Sequence, residues 1–223
     1  MNKKRSPAIG FLGGTFDPIH FGHLRPAIEI QQALKLNTLY LMPNYISPHK
    51  SNSYATPQQR IAMVKLAIQH IPNLQINTQE LLRESPSYTV DTLRELRQQY
   101  PNTPLCFIMG MDSLIQLDSW YQFEKILNYC HLIISHRPGW TPQFNSAVNN
   151  LLQQYQTKDP NVLHQQLCGS IYFQKTTQLA ISSSEIRSLL ALNKSIDFLT
   201  PPAVCDFIKT QGCYQQLNDK RPS

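Results

Sequence analysis

The 223-residue sequence has no apolar run close to the ~20 residues that a membrane-spanning helix needs. Its basic first residues, 1–5, lead into an apolar stretch that ends at Gly14 before any small-residue cleavage site, so no signal peptide is predicted. Charged residues make up only 15%, against roughly 25% in soluble domains, and uncharged polar residues replace them. Because glutamine pairs are spread through mixed sequence and form no tract, disorder and fibrous repeats are excluded. We expect one cytoplasmic domain spanning 1–223.

Paired cysteines are also lacking. The five cysteines are an odd number without a C-x-x-C pair, which argues against a disulfide framework and a zinc site. Buried thiols are therefore expected, and no metal held by protein side chains alone is predicted. The net charge of +6 is mild, and three of the cations lie within residues 3–5. This distribution suits a pocket for phosphorylated small molecules, and neither nucleic acid nor a membrane is an expected partner.

Short apolar runs alternate with segments of helical periodicity along the chain. Strands are predicted over 8–13, 38–42, 74–76, 105–110, 131–135 and 171–174. Helices are predicted over 24–36, from 57 behind a Thr56 cap, over 87–100, 120–129 and 184–192, and from 201 behind a Thr200 cap. This order predicts an α/β fold, a doubly wound parallel sheet with helices on both faces and a C-terminal helical segment at 182–214. The stretch 141–169 has little periodicity apart from a possible helix at 144–155, and it is interpreted as an insertion or cover.

Ligands of such sheets bind beyond the carboxyl ends of the strands, where the first strand is followed by GGTFDPIHFGH. Glycines there let backbone N–H groups approach an anion, and the following helix N-terminus adds partial positive charge. His20 and His23 are three apart, so both can face the strand ends, and Gly22 between them leaves room for a nucleotide. A glycine turn with two incidental histidines is the alternative, but the segment favours a phosphate ligand.

A second segment, ISSSEIR at 181–187, combines hydroxyls and free N–H groups at a helix start with Arg187 one turn further. Such hydroxyls and amides bind phosphate oxygens, and an arginine adds a forked cation. An ordinary helix cap would have the same sequence pattern. This segment therefore indicates a phosphate site only in combination with the GGTFDPIHFGH segment.

Together the two segments resemble the (H/T)-x-G-H and I-S-[ST]-[ST]-x-I-R motifs of the nucleotidylyltransferases. The resemblance implies a Rossmann-like fold and phosphate-directed catalytic roles for His20, His23 and Arg187. Two further turns, G-M-D-S at 110–113 and H-R-P-G at 136–139, resemble the family's G-x-D-S and R-R-P-G turns. The implied ATP-binding residues are Gly13, Gly14, Thr15, Phe16, Gly110, Asp112, Arg137, Ser183 and Ser184. Mg²⁺ is the implied cofactor, with ATP as substrate.

Three segments between the motifs resemble the acceptor-binding parts of bacterial nicotinate-mononucleotide adenylyltransferases. They are PNYISPHK at 43–50, PSYTVDTL at 86–93 and the Trp-Tyr pair at 120–121. Cations there would hold the mononucleotide phosphate, and the indole would stack on the pyridine ring. The implied acceptor-binding residues are Asn44, His49, Lys50, Ser87, Tyr88, Thr89, Trp120 and Tyr121. The resemblance departs at Ser47, Ser184 and His136, where the family usually has proline, threonine and arginine.

The resemblance therefore implies adenylyl transfer from ATP to nicotinate mononucleotide, giving deamido-NAD and pyrophosphate. Pantetheine-phosphate adenylyltransferase is the nearest alternative, but that family is usually shorter and lacks the PSYT and Trp-Tyr segments. A nucleotide-binding regulator without activity would not need His20, His23 and Arg187 intact. A basic RNA-binding domain would need a cationic stripe with interleaved aromatics, which the sequence does not contain.

Overall fold

The computed structural model describes residues 6–45, 53–83, 88–137, 139 and 142–214. The strands are β1 (Ile9–Gly14), β2 (Thr38–Pro43), β3 (Leu74–Ile76), β4 (Leu105–Gly110), β5 (His131–His136), β6 (Gln156–Thr157) and β7 (Ile171–Lys175). The helices are α1 (Phe21–Ala33), α2 (Pro57–Ile68), α3 (Thr89–Gln99), α4 (Met111–Ile115), α5 (Ser146–Tyr155), α6 (Val162–Gln165), α7 (Ser183–Ala191) and α8 (Pro202–Thr210). No helix among these residues is long and apolar enough to cross a membrane.

The seven strands form one sheet in the order β3-β2-β1-β4-β5-β7-β6, and every neighbouring pair is parallel. The chain winds outward from β1 in one direction through β2 and β3, and in the other through β4 and β5. The strand order therefore reverses between β1 and β4, at the point where such sheets bind ligands. The predicted doubly wound parallel sheet is confirmed.

Alternating strand residues enter two apolar clusters, one on each face of the sheet. On one face Leu39, Leu41 and Ile108 pack against α1, α2, α7 and α8. On the other face Phe11 and Leu132 pack against α3, α4 and α5. Because both faces are covered, the strands are nearly continuous apolar runs, as parallel sheets require.

Several predicted boundaries were wrong. Helix α1 begins at Phe21 rather than Leu24, because the extended residue is His20 (φ −152°, ψ 172°). The helix predicted over 120–129 is a 3₁₀ helix over Phe123–Asn128. Thr56 caps α2 as predicted, accepting from the Gln59 amide, but Thr200 does not cap α8. Its hydroxyl donates to the Ile19 carbonyl over 2.7 Å, which ties the C-terminal segment to the first loop.

The described part of the stretch 141–169 is integrated into the fold. Helix α5 buries Val148 and Leu152 against the sheet, and α6 buries Leu163. Strand β6 pairs with β7 and extends the sheet by one strand that the sequence did not predict. Four of the five cysteines are buried as expected, whereas Cys168 is only half-buried.

Candidate active site

A cavity of about 540 Å³ opens at the carboxyl edge of the sheet. It is lined by the ends of β1 and β4, by Met42 of β2 and by Ser135 of β5. The cavity therefore lies where the strand order reverses, as the fold predicts. Of the residues predicted to bind substrates, Gly13, Gly14, Thr15, His23, Asn44, Tyr88, Thr89, Gly110, Asp112, Trp120 and Tyr121 line it.

The loop after β1 forms the first wall. Phe16 has a positive φ of 50°, and its ring is buried beneath the loop, edge-on to His23 with 5.1 Å between ring centroids. A Cβ at Gly14 would lie 2.8 Å from the Phe16 ring, so only glycine fits there. The Phe16 side chain does not line the cavity and instead supports the loop that does.

The two histidines lie one behind the other. Their rings are 3.7 Å apart at the centroids and tilted by 30°, and the His20 amide donates to His23 Nδ1 over 3.3 Å. His23 reaches the cavity, whereas His20 is buried and its Nδ1 has no partner among the described residues. Burial lowers the pKa of His20 from 6.5 to about 4. At pH 7 the His20 ring is therefore neutral, and it carries no positive charge into the site.

Gly22 has a different role from the one expected. A Cβ there would lie 2.9 Å from the His20 ring and 3.1 Å from the Ile181 carbonyl oxygen. Although Gly22 borders the cavity, the space beside its Cα is filled by protein. The glycine therefore lets the first motif pack against the second.

The second motif rests directly on the first, as the predicted common site requires. The Ser183 hydroxyl donates to the Pro18 carbonyl over 2.8 Å, and Arg187 Nη1 donates to the Asp17 carbonyl over 2.6 Å. Ser182 caps α7 by accepting from the Glu185 amide, while Ser184 is exposed and contacts the Ser182 hydroxyl. Ser183, Ser184 and Arg187 do not themselves line the cavity. The Arg187 guanidinium lies over the Tyr54 ring, 4.6 Å from its centroid.

Aromatic side chains form the opposite wall. The rings of Tyr88 and Tyr121 are 4.9 Å apart and largely exposed. Trp120 packs edge-on against Phe107, with 6.4 Å between ring centroids, and keeps part of its surface accessible. Three predicted acceptor-binding residues, His49, Lys50 and Ser87, lie outside the described residues.

Some residues that line the cavity were not predicted as site residues from the sequence. Glu80 is buried in a short 3₁₀ helix after β3 and accepts from the Thr92 hydroxyl over 2.7 Å. No pattern in the sequence distinguishes it from a surface glutamate. Gln178 donates to the hydroxyls of Ser135 and Thr176. Its place three residues beyond β7 was a usable signal, because the ends of parallel strands meet at one edge.

Arg137 does not line the main cavity. It borders a second, open cavity of about 370 Å³ together with Glu29 and Lys175, and Gln178 borders both cavities. His136 packs edge-on against Phe173 and its Nδ1 contacts the Arg137 carbonyl. If Arg137 binds ATP as predicted, it does so at the far side of Gln178.

Within the described ranges, no three His, Cys, Asp or Glu side chains are grouped so as to hold a metal by themselves. The cavity wall does carry two carboxylates, Asp112 and Glu80. Mg²⁺ is commonly bound by one or two carboxylates together with substrate phosphates. The residues present therefore fit a divalent ion that arrives with a nucleotide.

A family model described as cytidylyltransferase-like matches residues 11–189. Probable nicotinate-nucleotide adenylyltransferases of Psychromonas ingrahamii and Aeromonas salmonicida are 61% and 48% identical to this chain. Each alignment covers 93% of this chain and 97% of the relative. Nicotinic acid mononucleotide adenylyltransferase of Plasmodium falciparum, solved in complex with NaAD, has the same fold with a TM-score of 0.71 at 21% identity. That superposition covers 94% of this chain and 98% of the other.

The fold, the paired motifs at the strand ends and the family match define a nucleotidyltransferase of the cytidylyltransferase-like family. Within that family, the chain belongs to the nicotinate-nucleotide adenylyltransferases, because its similarity to them extends over nearly the whole length of both chains.

Proposed function

We propose that the protein transfers the adenylyl group of ATP to nicotinate mononucleotide, giving deamido-NAD and pyrophosphate in NAD synthesis. One observation carries the proposal: a single cavity has a phosphate-binding loop with His23 on one wall and the aromatic group of Tyr88, Trp120 and Tyr121 on the other. Such a cavity can hold a triphosphate and a pyridine nucleotide side by side. We place the reaction in the cytoplasm, as the sequence predicts.

On the ATP side, amides of the loop after β1 and the N-terminus of α1 favour a polyphosphate. No acidic residue lies in the first turn of α1 to oppose it. His23 faces this space, and His20 supports it from behind through the backbone contact. Arg187 Nη1 lies 2.6 Å from the Asp17 carbonyl oxygen, and its Nη2, which has no hydrogen bond to the described residues, is available for a phosphate oxygen. These groups would bind and orient the triphosphate.

On the acceptor side, Trp120 supplies a flat face for the electron-poor pyridine ring. Asn44 keeps a buried Oδ1 without a partner among the described residues, so it has bonding capacity left for a ligand hydroxyl. Donors from Thr89 and the backbone near Tyr121 would favour a ring carboxylate over an amide, because a carboxylate accepts hydrogen bonds more strongly. We therefore expect nicotinate mononucleotide to be preferred over the nicotinamide form.

The chemistry needs no protein base. A phosphate monoester has its second pKa near ~6, so the mononucleotide phosphate is already a nucleophile at neutral pH. Its oxygen bonds to the α-phosphorus of ATP while the bond from that phosphorus to the β-phosphate bridging oxygen breaks, and pyrophosphate leaves. The protein contributes alignment and hydrogen bonds to the developing charge. Mg²⁺ bound with ATP would supply positive charge for the leaving phosphates, and the Asp112 carboxylate in the cavity wall would help to hold it.

The proposal is tested by measuring pyrophosphate release from ATP and Mg²⁺ with three acceptors in turn. The acceptors are nicotinate mononucleotide, nicotinamide mononucleotide and phosphopantetheine. We expect the highest kcat/KM with the first. A higher kcat/KM with phosphopantetheine, or no release with any acceptor, would refute the proposal. Equal values for the two mononucleotides would refute only the account of the ring carboxylate.

A further inference from the structure

A buried carboxylate stands in the middle of the phosphate-binding loop. Asp17 is 3% exposed, and its Oδ2 accepts from the Tyr54 amide over 2.7 Å. Its Oδ1 accepts from the Ala55 amide over 3.1 Å and from the Tyr214 hydroxyl over 2.8 Å. Asp17 thus links three parts of the chain: the loop after β1, the entry to α2 and the C-terminal residues.

A fully buried arginine makes the complementary set of contacts. Arg60, in α2, donates from Nη1 to the carbonyls of Thr15 (2.8 Å) and Asn44 (2.7 Å). Its Nη2 donates to the Tyr45 carbonyl over 3.3 Å. Burial lowers the pKa of Arg60, and the negative charge of Asp17 opposes that effect. The guanidinium makes its hydrogen bonds to backbone carbonyls and none to the Asp17 carboxylate.

The two side chains hold both ends of the segment that joins β2 to α2. Arg60 fixes the start of that segment at Asn44 and Tyr45, and Asp17 fixes its end at Tyr54 and Ala55. The same arginine also binds the Thr15 carbonyl in the phosphate-binding loop. One guanidinium therefore joins the ATP side of the cavity to its acceptor side.

We propose that Asp17 and Arg60 are positioning residues that set the spacing between the ATP wall at Thr15 and the acceptor wall at Asn44. Thr15 and Asn44 line the cavity, whereas Asp17 and Arg60 do not reach it. This inference rests on the proposed function, because spacing between two walls matters only when two substrates react across the cavity.

The proposal has a distinct kinetic signature. Each substrate binds mainly to its own wall, so a change in spacing leaves each separate affinity nearly intact. The reacting oxygen and phosphorus must be aligned within a fraction of an ångström, and a displacement of about 1 Å costs on the order of 10²-fold in rate. Loss of the contacts that Asp17 or Arg60 makes should therefore lower kcat and leave both dissociation constants nearly unchanged.

The chain offers a matched control at the opposite edge of the sheet. Arg97 also binds backbone carbonyls, those of Tyr100, Thr103, Tyr129 and Leu167, and does not line the cavity. Arg60→Lys and Arg97→Lys each keep the positive charge and remove the planar guanidinium group that binds several carbonyls at once. We expect Arg60→Lys to lower kcat by at least about 10-fold, with dissociation constants for nicotinate mononucleotide and a non-hydrolysable ATP analogue within about 3-fold of wild type. Arg97→Lys should keep wild-type kcat.

Tyr214→Phe is the second variant, and it decides the matter if Arg60→Lys does not fold. It removes one hydrogen bond to Asp17 and no charge, and we expect kcat to fall by about 3-fold or more with both dissociation constants unchanged. Thermal melts and calorimetric titrations accompany the kinetics. A wild-type kcat in folded Arg60→Lys protein would overturn the proposal. If Arg60→Lys does not fold, a wild-type kcat in Tyr214→Phe would overturn it. So would a loss of kcat in Arg97→Lys equal to that in Arg60→Lys. Wild-type protein that is inactive towards nicotinate mononucleotide would instead refute the proposed function.

Discussion

Two arginines, the fully buried Arg60 and the half-buried Arg97, show how the two edges of the sheet differ. At the amino edge, Arg97 uses all its N–H groups on four backbone carbonyls. At the carboxyl edge, Arg60 binds three carbonyls and its Nε has no partner among the described residues. In the same part of the described structure, His20 Nδ1 and Asn44 Oδ1 also have no hydrogen-bond partner. Buried polar groups are normally satisfied, so the concentration of unpaired ones at the carboxyl edge is typical of a place that a ligand completes.

The amino edge also contains a buried polar atom that has no partner among the described residues, Nδ1 of His131. Its Nε2 contacts the Gln166 carbonyl over 3.0 Å, and burial lowers its pKa. This edge holds together the starts of the strands and carries none of the predicted site residues. Substitutions of the same residue type at the two edges should therefore separate effects on function from effects on stability.

The largest expected effect is that of His23→Ala at the carboxyl edge. A polar group aimed at transition-state charge typically accounts for about 10²-fold or more in rate, so kcat should fall by at least that factor while the fold is kept. Steady-state pyrophosphate release measures kcat, and a thermal melt shows whether the fold is kept. The control is His164→Ala at the amino edge, where the ring contacts the Leu34 carbonyl over 2.9 Å. That variant should lose stability and keep kcat; near-normal turnover in folded His23→Ala would remove His23 from catalysis.

The second prediction concerns stability in acid. His20 has a folded-state pKa of about 4 against 6.5 when unfolded, so the unfolded chain binds more protons between these values. Stability therefore falls as pH falls through that window. His20→Gln removes this contribution, and the loss of unfolding free energy between pH 7 and pH 5 should be smaller by about 2 kcal/mol than in wild type. Urea titrations at the two pH values measure it.

His131→Asn should reduce the same pH dependence at the amino edge, because burial lowers the pKa of His131 as well. If the unfolding free energy of His20→Gln changes between pH 7 and pH 5 by as much as that of wild type, then His20 is not buried in its neutral form.

The third prediction separates the two walls of the cavity. Trp120→Ala removes the stacking face, so KM for nicotinate mononucleotide should rise by about 10-fold, as expected for the loss of an aromatic contact worth roughly 1.4 kcal/mol. KM for ATP should change by less than about 2-fold. Initial rates with each substrate varied in turn measure both. A defect confined to ATP would show that the acceptor lies elsewhere.

The smallest effect is expected for Arg187→Lys. The variant keeps a cation near the phosphates but loses the planar group that binds the Asp17 carbonyl and lies over Tyr54. We expect kcat/KM for ATP to fall by several-fold. Arg94→Lys, on an exposed part of α3, is the control and should have no effect. Unchanged kcat and KM in Arg187→Lys would make 182–187 an ordinary helix cap.

Much of the fold follows from local sequence. The six apolar runs and the glycine stops place all the strands except β6, which has only two residues, Gln156 and Thr157, and no apolar pattern. The wrong prediction that Thr200 caps α8 also arises because local sequence does not contain the deciding contact. A threonine before a proline is the usual signal for a cap, and only the tertiary contact with Ile19 shows that its hydroxyl is used elsewhere.

The motifs predict where the site lies in the fold, but they do not predict how its side chains are arranged. The sequence pairs His20 with His23, yet burial makes one a neutral support and leaves the other in the cavity. Arg60 is a helix residue outside every predicted motif, and the positioning role proposed for it depends on carbonyls that come from two different loops. Such contacts are set by the packing of distant segments, so local patterns do not reveal them.

The most direct test of the central claim follows the α-phosphate of ATP. Wild-type protein is incubated with nicotinate mononucleotide, Mg²⁺ and ATP labelled at either the α- or the γ-phosphate, and the products are separated by chromatography. The account predicts that the α-label appears in deamido-NAD, that the γ-label appears in pyrophosphate, and that His23→Ala slows both to the same extent. An α-label that stays in ATP or appears in free AMP, or a γ-label transferred to the mononucleotide, would contradict adenylyl transfer.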